Sequence, residues 1–311
     1  MAPQAYFHEQ YVPLAEANIN IMTHAFNYGT GCFEGIRGYW NAEQNQLFLF
    51  RLREHYQRLL TSGRILGISC QNSVDQLCEI TLELVRRNDH HEDCYVRPLL
   101  YKGSTIVGVR MHNLEDHLAM FTTIFGKYIE APDGCRCSTS SFRRIDDNAI
   151  PARAKVTGGY INSALAKTEA QLNGFDEAIM LTNDGHVCEG SGENIFIVSD
   201  NTLITPPSSD NILVGITRDS VMRIARDEYG ISTLERSIDR SELYATDECF
   251  MTGTAAEITP VIEVDRRPIG SGAIGPLTRK LQSIFFDVVH GRDVRYSAWC
   301  TPVYVTVGAG R

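Results

Sequence analysis

Along residues 74–87 the apolar side chains Val74, Leu77, Ile80, Leu84 and Val85 recur at near-helical spacing, which predicts an amphipathic helix. The same reading predicts helices over 54–66, from near Arg218 to about Glu228 (ending before Gly230), and over roughly 277–290. Short apolar runs at 46–51, 95–101, 118–125, 178–181 and 194–198 predict strands. Helices and strands that follow one another without strict alternation favour an α+β class over a doubly wound sheet. At Glu130-Ala131-Pro132-Asp133-Gly134 a Pro and a Gly flank an Asp, a natural break between domains. The expected division is therefore a smaller N-terminal domain over 1–124, an interdomain loop at 125–135 and a larger domain over 136–311. The tail after Val303 is expected to be unstructured.

Composition narrows the choice of partners. With 311 residues the chain is long enough for about two domains and an ample core. Its formal net charge of -9 makes nucleic acid or an anionic membrane a poor partner, although an anionic cofactor can still be held by local amides and cations. No uninterrupted apolar run is long enough to cross a bilayer, and the first residues lack the basic start and apolar stretch of a secretory signal. Nine cysteines without a disulfide-like rhythm suit a reducing cytoplasm. Only Cys135-Arg136-Cys137 forms a close pair. With no second pair nearby, no metal is called for, and His90-His91-Glu92-Asp93 reads as a solvated helix end. Nucleophile elbows, HExxH and Walker-type loops are missing from the sequence.

Candidate chemistry lies in four segments. Lys155 sits among small residues in Arg153-Ala154-Lys155-Val156-Thr157-Gly158-Gly159-Tyr160, where a lysine can meet an aldehyde cofactor or simply precede a Gly-Gly turn. Glu189, in Cys188-Glu189-Gly190-Ser191-Gly192-Glu193-Asn194, could hold a pyridinium nitrogen or belong to a solvated hairpin turn. Gly215-Ile216-Thr217-Arg218 opens a helix, and its free amides suit a phosphate, while the Thr217 hydroxyl could equally cap the helix. Gly253-Thr254-Ala255-Ala256 follows an apolar strand and offers amides to an oxyanion or carboxylate. Among the arginines, Arg58 falls in a helical pattern and is solvated by default. Arg97 lies in the strand-like Tyr95-Val96-Arg97-Pro98-Leu99, where a charge is unusual unless it meets an anion.

Together with Phe26-Asn27-Tyr28-Gly29-Thr30-Gly31-Cys32-Phe33-Glu34-Gly35-Ile36-Arg37 and Arg53-Glu54-His55-Tyr56-Gln57-Arg58-Leu59, these segments resemble the fold-type IV pyridoxal-phosphate enzymes, specifically the branched-chain amino-acid aminotransferases. The likeness runs from about Tyr11 to about Pro302. It implies a small α/β N-terminal domain, a larger β-barrel-like cofactor-binding domain with the site between them, and a homodimer or higher homo-oligomer. It implies pyridoxal 5'-phosphate as cofactor and ping-pong exchange of nitrogen between branched-chain L-amino acids (leucine, isoleucine, valine) and 2-oxoglutarate.

By the same resemblance Lys155 is the Schiff-base lysine, Glu189 holds the ring nitrogen and Tyr160 lies beside the phenolic oxygen. Arg58, Ile216, Thr217 and Thr254 would hold the phosphate. The Thr254 and Ala255 amides and the Tyr95 hydroxyl would meet the substrate carboxylate, and Arg97 the side-chain carboxylate of glutamate. Phe33 and Tyr128 would line the side-chain pocket, with Tyr28 reaching in from a partner subunit. Gly159 and Phe125 depart from the family's commoner Asn and Trp. Relatives acting on D-amino acids or (R)-amines, and aminodeoxychorismate lyase, share Lys155 and Glu189 but not the carboxylate-binding segments; a non-catalytic binding relative is the remaining alternative.

Overall fold

The computed structural model describes residues 2–304. The chain forms two compact units, each with its own sheet and core. Among the described residues, the first unit runs to Gly126 and also takes in Val156–Gly158 and 286–304; the second comprises Lys127–Lys155 and Gly159–Phe285. The first break thus falls within the expected 125–135 loop, but the expected 136–311 block is not continuous. Strand pairing explains the difference. Cys300–Pro302 joins the first sheet antiparallel to Gln46–Phe50, and the amides of Thr157 and Gly158 donate to Gly31 and Gly29.

In the first unit the sheet order is Cys300–Pro302, Gln46–Phe50, Ile36–Asn41, Cys94–Lys102, Asp116–Ile124, Gln4–Phe7 and Gln10–Pro13, with Gly31–Phe33 also pairing to Cys94–Lys102. Every one of these pairings is antiparallel. Helices Leu52–Leu66 and Val74–Asn88 contribute Tyr56, Leu59, Leu77, Leu84 and Val85 to a core shared with Leu47, Leu49, Val96 and Leu100. The second helix starts where the capping box of Ser73 and Gln76 satisfies its first amides. The first helix begins two residues before the expected Glu54, because Arg51 turns left-handed at its start and Leu52 is buried.

Along Cys94–Lys102 the period-two alternation sends Cys94, Val96 and Leu100 into the core and leaves Tyr95 and Arg97 on the other face. Of the tail after the fully buried Val303, Tyr304 is described and donates its hydroxyl to the His90 carbonyl at 2.6 Å; residues 305–311, on which the rest of that expectation falls, lie outside the described residues.

The second unit holds a mixed sheet in the order Val187–Gly190, Glu177–Leu181, Cys135–Arg143, Glu257–Val264, Glu248–Gly253, Asn194–Ser199, Thr202–Thr205 and Thr233–Glu235, with Arg267–Pro268 on Glu257–Val264. The sheet curls until its ends approach each other, since the Val187 amide donates to Ile238, just beyond the last strand. Cys135–Arg143 and Glu177–Leu181 are parallel neighbours, and parallel neighbours need a long crossover. Helix Tyr160–Leu172 is part of that crossover, with Lys155 just ahead of its start. Helices Ile216–Tyr229 and Pro276–Val289 match the expected positions, the latter opening on a proline, which loses no hydrogen bond at a helix's first residue.

Candidate active site

In the second unit Lys155 follows buried Ala152 and Ala154, and its Nζ donates to the Tyr160 hydroxyl at 2.5 Å. Tyr160 is the first residue of its helix, so the crossover fixes the spacing between the two groups.

Glu189 is 5% exposed, accepts two hydrogen bonds and forms an ion pair with one guanidinium. Arg144 Nε reaches Oε1 at 2.9 Å, while the Leu213 amide and Asn194 Nδ2 reach Oε2 at 3.1 and 3.3 Å. Burial pushes the Glu189 carboxyl above its ordinary value, and the Arg144 charge, the Leu213 amide and the charge of Lys155 act against that rise. The segment is not a hairpin: its flanking strands pair with Glu177–Leu181 on one side and Glu248–Gly253 on the other.

Asn194 links this carboxylate to the next element. Its Nδ2 also donates to the Leu213 carbonyl at 2.9 Å, and its Oδ1 lies so close to Gly215 that a Cβ there would stand 2.0 Å from it. Gly215 is therefore required by close approach. It is the residue before helix Ile216–Tyr229, and no side chain caps that helix. Thr217 is the second helical residue and 3% exposed, so it sits past the capping position, and the amides of the first turn face an end that favours anions. Thr254 and Ala255 form the tip of the hairpin between Glu248–Gly253 and Glu257–Val264, where Gly253 pairs with Glu257 and packs on Gly192 and Glu193. Tyr128 is 47% exposed, its ring 5.6 Å from Lys167 Nζ.

In the first unit Phe33, Tyr95 and Arg97 cluster. The Arg97 guanidinium lies 4.4 Å from the Phe33 ring centre, and its Nη2 donates to the Tyr95 hydroxyl at 3.0 Å. Arg97 Nε is buried with no hydrogen-bond partner. A buried cationic donor left in that state calls for an acceptor from outside the protein.

Arg58 forks onto the fully buried Glu34, with Nε–Oε1 at 2.6 Å and Nη2–Oε2 at 2.8 Å, and His55 Nδ1 adds a contact at 2.7 Å. Burial alone would raise the Glu34 carboxyl, but the charge and hydrogen bonds of Arg58, with His55, hold it well below the usual range. Tyr28 stands apart from this group; it is 37% exposed and accepts from the Gly108 amide at 3.0 Å.

Sequence reasoning missed Arg144, Asn194, Glu34 and His55 as partners. Three of them lie inside or beside segments already singled out, but which side chain each would meet depends on pairings between distant parts of the chain. Among the described residues no group of three or more His, Cys, Asp or Glu is placed to hold a metal.

The sequence profile of Amino-transferase class IV matches residues 31–264. A probable branched-chain-amino-acid aminotransferase of Aquifex aeolicus is 49% identical over 300 residues, covering 96% of each chain. Among solved structures, the branched-chain aminotransferase of Thermoproteus uzoniensis with norvaline superposes with a TM-score of 0.93 at 44% identity, covering 98% of this chain and 100% of the other. The branched-chain amino acid aminotransferase of Thermobaculum terrenum in its PLP-form gives a TM-score of 0.93 at 37% identity, with 98% and 99% covered.

Proposed function

Since the chain belongs to the class IV amino-transferases, we propose that it exchanges nitrogen between branched-chain L-amino acids and 2-oxoglutarate, with pyridoxal 5'-phosphate as cofactor. The observation that carries this reading is the second unit's set: Lys155 on Tyr160, and Glu189 buried yet held by Arg144, Asn194 and the Leu213 amide. That donor set fits the cofactor. Glu189 suits the ring nitrogen, Tyr160 the phenolic oxygen, and the start of helix Ile216–Tyr229, with Thr217 and Thr254, the phosphate. Bound, the cofactor supplies an electrophilic aldehyde carbon and a ring that takes up electrons from the substrate's α-carbon. Lys155 would hold the cofactor through its Nζ, and the same amine would take up and return the proton of the substrate's α-carbon. Tyr160 orients its Nζ, and ionised Glu189 keeps the ring nitrogen protonated.

In the first unit, Arg58 is read toward the phosphate and the Tyr95 hydroxyl, with Thr254 and Ala255, toward the substrate carboxylate. Phe33 and Tyr128 take the apolar side chain. Arg97, lying on Phe33 with an unpartnered Nε, lets one pocket accept both a leucine-like chain and the second carboxylate of glutamate. A homodimer belongs to the same reading. Exposed Ile19, Ile21 and Phe26, and a groove of about 500 Å³ lined by Leu14, Leu99 and Phe121, suit a second copy, toward whose site Tyr28 would reach. Nine unpaired cysteines suit the cytoplasm.

The deciding experiment follows the visible spectrum of the protein reconstituted with pyridoxal phosphate. L-leucine should bleach the band and D-alanine or (R)-1-phenylethylamine should not. Bleaching by either of the latter moves the chain to another branch of the family, and no band at all overturns the enzyme reading. Lys155→Ala should lower turnover by on the order of 10²–10⁴-fold or more while leaving the fold intact.

A further inference from the structure

Three side chains beneath the 189–194 turn have no part in the chemistry above. Glu193 is 3% exposed, Glu177 is fully buried, and Lys167 lies partly covered beside them. Lys167 Nζ donates to Glu177 Oε2 at 2.5 Å and to the Asp176 carbonyl at 2.8 Å, and Glu177 Oε1 accepts the Ala178 amide at 2.8 Å. Glu177 is thereby served by a full cation and an amide. Glu193 Oε2 accepts the Gly192 amide at 3.0 Å.

Two buried carboxylates share one partly covered cation, and like charges so placed do not both ionise readily. The geometry selects Glu193 as the one that keeps its proton, because the cation is already bonded to Glu177. Glu193 faces Glu177 from strand Glu177–Leu181, Lys167 from helix Tyr160–Leu172, Glu189 from strand Val187–Gly190, and the Tyr128 hydroxyl. The near end of strand Glu248–Gly253 brings Met251 and Gly253 and no charge. The carboxyl also fills the space beside Gly190, where a Cβ would stand 2.6 Å from Oε2, so it supports the backbone that carries Glu189. The Gly190 amide, bonded to the Glu193 carbonyl at 2.6 Å, closes the same turn.

We propose that Glu193 is a positioning residue that works in its protonated form, packing neutral under the turn and holding Glu189 and Asn194 in place for the cofactor. Ionised, it sets a second negative charge beside Glu189 and strains the turn outward. The inference rests on the assignment of Glu189 to the cofactor's ring nitrogen. Burial first, and the charge of Glu177 second, push the Glu193 carboxyl up to about 8 against the Gly192 amide and Lys167.

The sign of the resulting pH dependence follows. A carboxyl raised in the folded state binds more protons there than in the unfolded chain. Stability from this group is therefore greatest below the ordinary value of 4.5, falls as pH rises to about 8, and levels off above it.

The test compares wild type, Glu193→Gln and Glu193→Ala by thermal unfolding of the cofactor-free protein from pH 5 to 9.5, and by pyridoxal-phosphate affinity over the same range. The melting advantage of Glu193→Gln over wild type should grow up to about pH 8 and then hold constant. At pH 9 about one wild-type molecule in eleven keeps the proton, so wild-type affinity should fall about tenfold relative to its value at pH 7. Glu193→Gln should escape that fall, and Glu193→Ala should bind weakly throughout. Parallel melting profiles for wild type and Glu193→Gln would overturn the protonated state. Equal losses of affinity in Gln and Ala variants would overturn the positioning role. A wild type that takes no cofactor even at pH 7 would sink the functional reading instead, while the melting profiles would still decide whether Glu193 holds its proton.

Discussion

Each unit of this protein buries a glutamate next to a glycine, and the two fare oppositely. Glu34, in the first unit, has lost all contact with water and yet is held ionised well below the usual carboxyl range. Glu193, in the second, is almost as deeply buried and is pushed up to about 8. Desolvation is the largest influence on both, so burial does not separate them. The partners do. Arg58 gives Glu34 a bidentate fork and His55 adds a third contact, whereas the cation nearest Glu193 is bonded to another carboxylate. Glu189 lies between these extremes: one guanidinium and two neutral donors offset part of its burial. The local supply of cations thus decides whether a buried acid is held ionised or pushed toward its protonated form.

Removing the fork should give the largest change in stability. Arg58→Met leaves the fully buried Glu34 with His55 alone of these two partners, and breaking a buried pair from one side costs about 3–5 kcal/mol. Urea denaturation of the cofactor-free protein at pH 7 measures it. The pH dependence adds a second reading. A carboxyl lowered in the folded state contributes stability that is fully present above its unfolded value of 4.5 and is lost as pH falls below that. The variant should lack this acid-side loss. A change under about 1 kcal/mol, with the acid limb intact, would mean that Glu34 is not held by Arg58.

A smaller effect, on activity, is expected from Arg144→Met. Glu189 would keep the Leu213 and Asn194 donors but lose its only cationic one among these three, and burial would raise its carboxyl further. In the proposed role, a neutral Glu189 would no longer keep the cofactor's ring nitrogen protonated. The usual cost of losing the partner that orients a functional group is about 10–100-fold, here expected in kcat with KM for L-leucine little altered. Steady-state kinetics decide it. An unchanged kcat would show that Glu189 needs no cation to stay charged.

Much of this was legible in the chain, and what was not has a common cause. The helices expected over 74–87 and 54–66 follow from local sequence pattern, and they form at 74–88 and 52–66. Lys155 and Tyr160 are also near neighbours in sequence, so one motif carried both, whereas Asn194 stands in the motif of Glu189 without anything there to mark it as that carboxylate's partner. Arg144 lies 45 positions before Glu189, and nothing in its own segment marks it as that residue's partner. Likewise Cys300–Pro302 completes a sheet begun at Gln46–Phe50, a pairing set by the register of the whole unit. The opposite fates of Glu34 and Glu193 belong here too. Both read as glutamates beside glycine, and only the fold shows which of them meets an unshared cation.

If cation supply is the whole difference, removing the rival carboxylate should turn Glu193 into a second Glu34. In Glu177→Gln the Lys167 ammonium loses its 2.5 Å partner, and the nearest remaining buried carboxylate around it is Glu193. Glu193 should then ionise, its carboxyl falling from about 8 toward the ordinary range. One buried ion pair would replace another, so stability at pH 7 should change by no more than about 1–2 kcal/mol, since the full penalty applies only when a buried charge is left alone. The loss of stability between pH 5 and 8 expected of the wild type should shrink or vanish in this variant, measured by the same melting series. A Glu177→Gln protein that kept the wild-type slope would show that Lys167 cannot serve Glu193, and that the shape of the site, rather than competition for one cation, keeps that acid neutral.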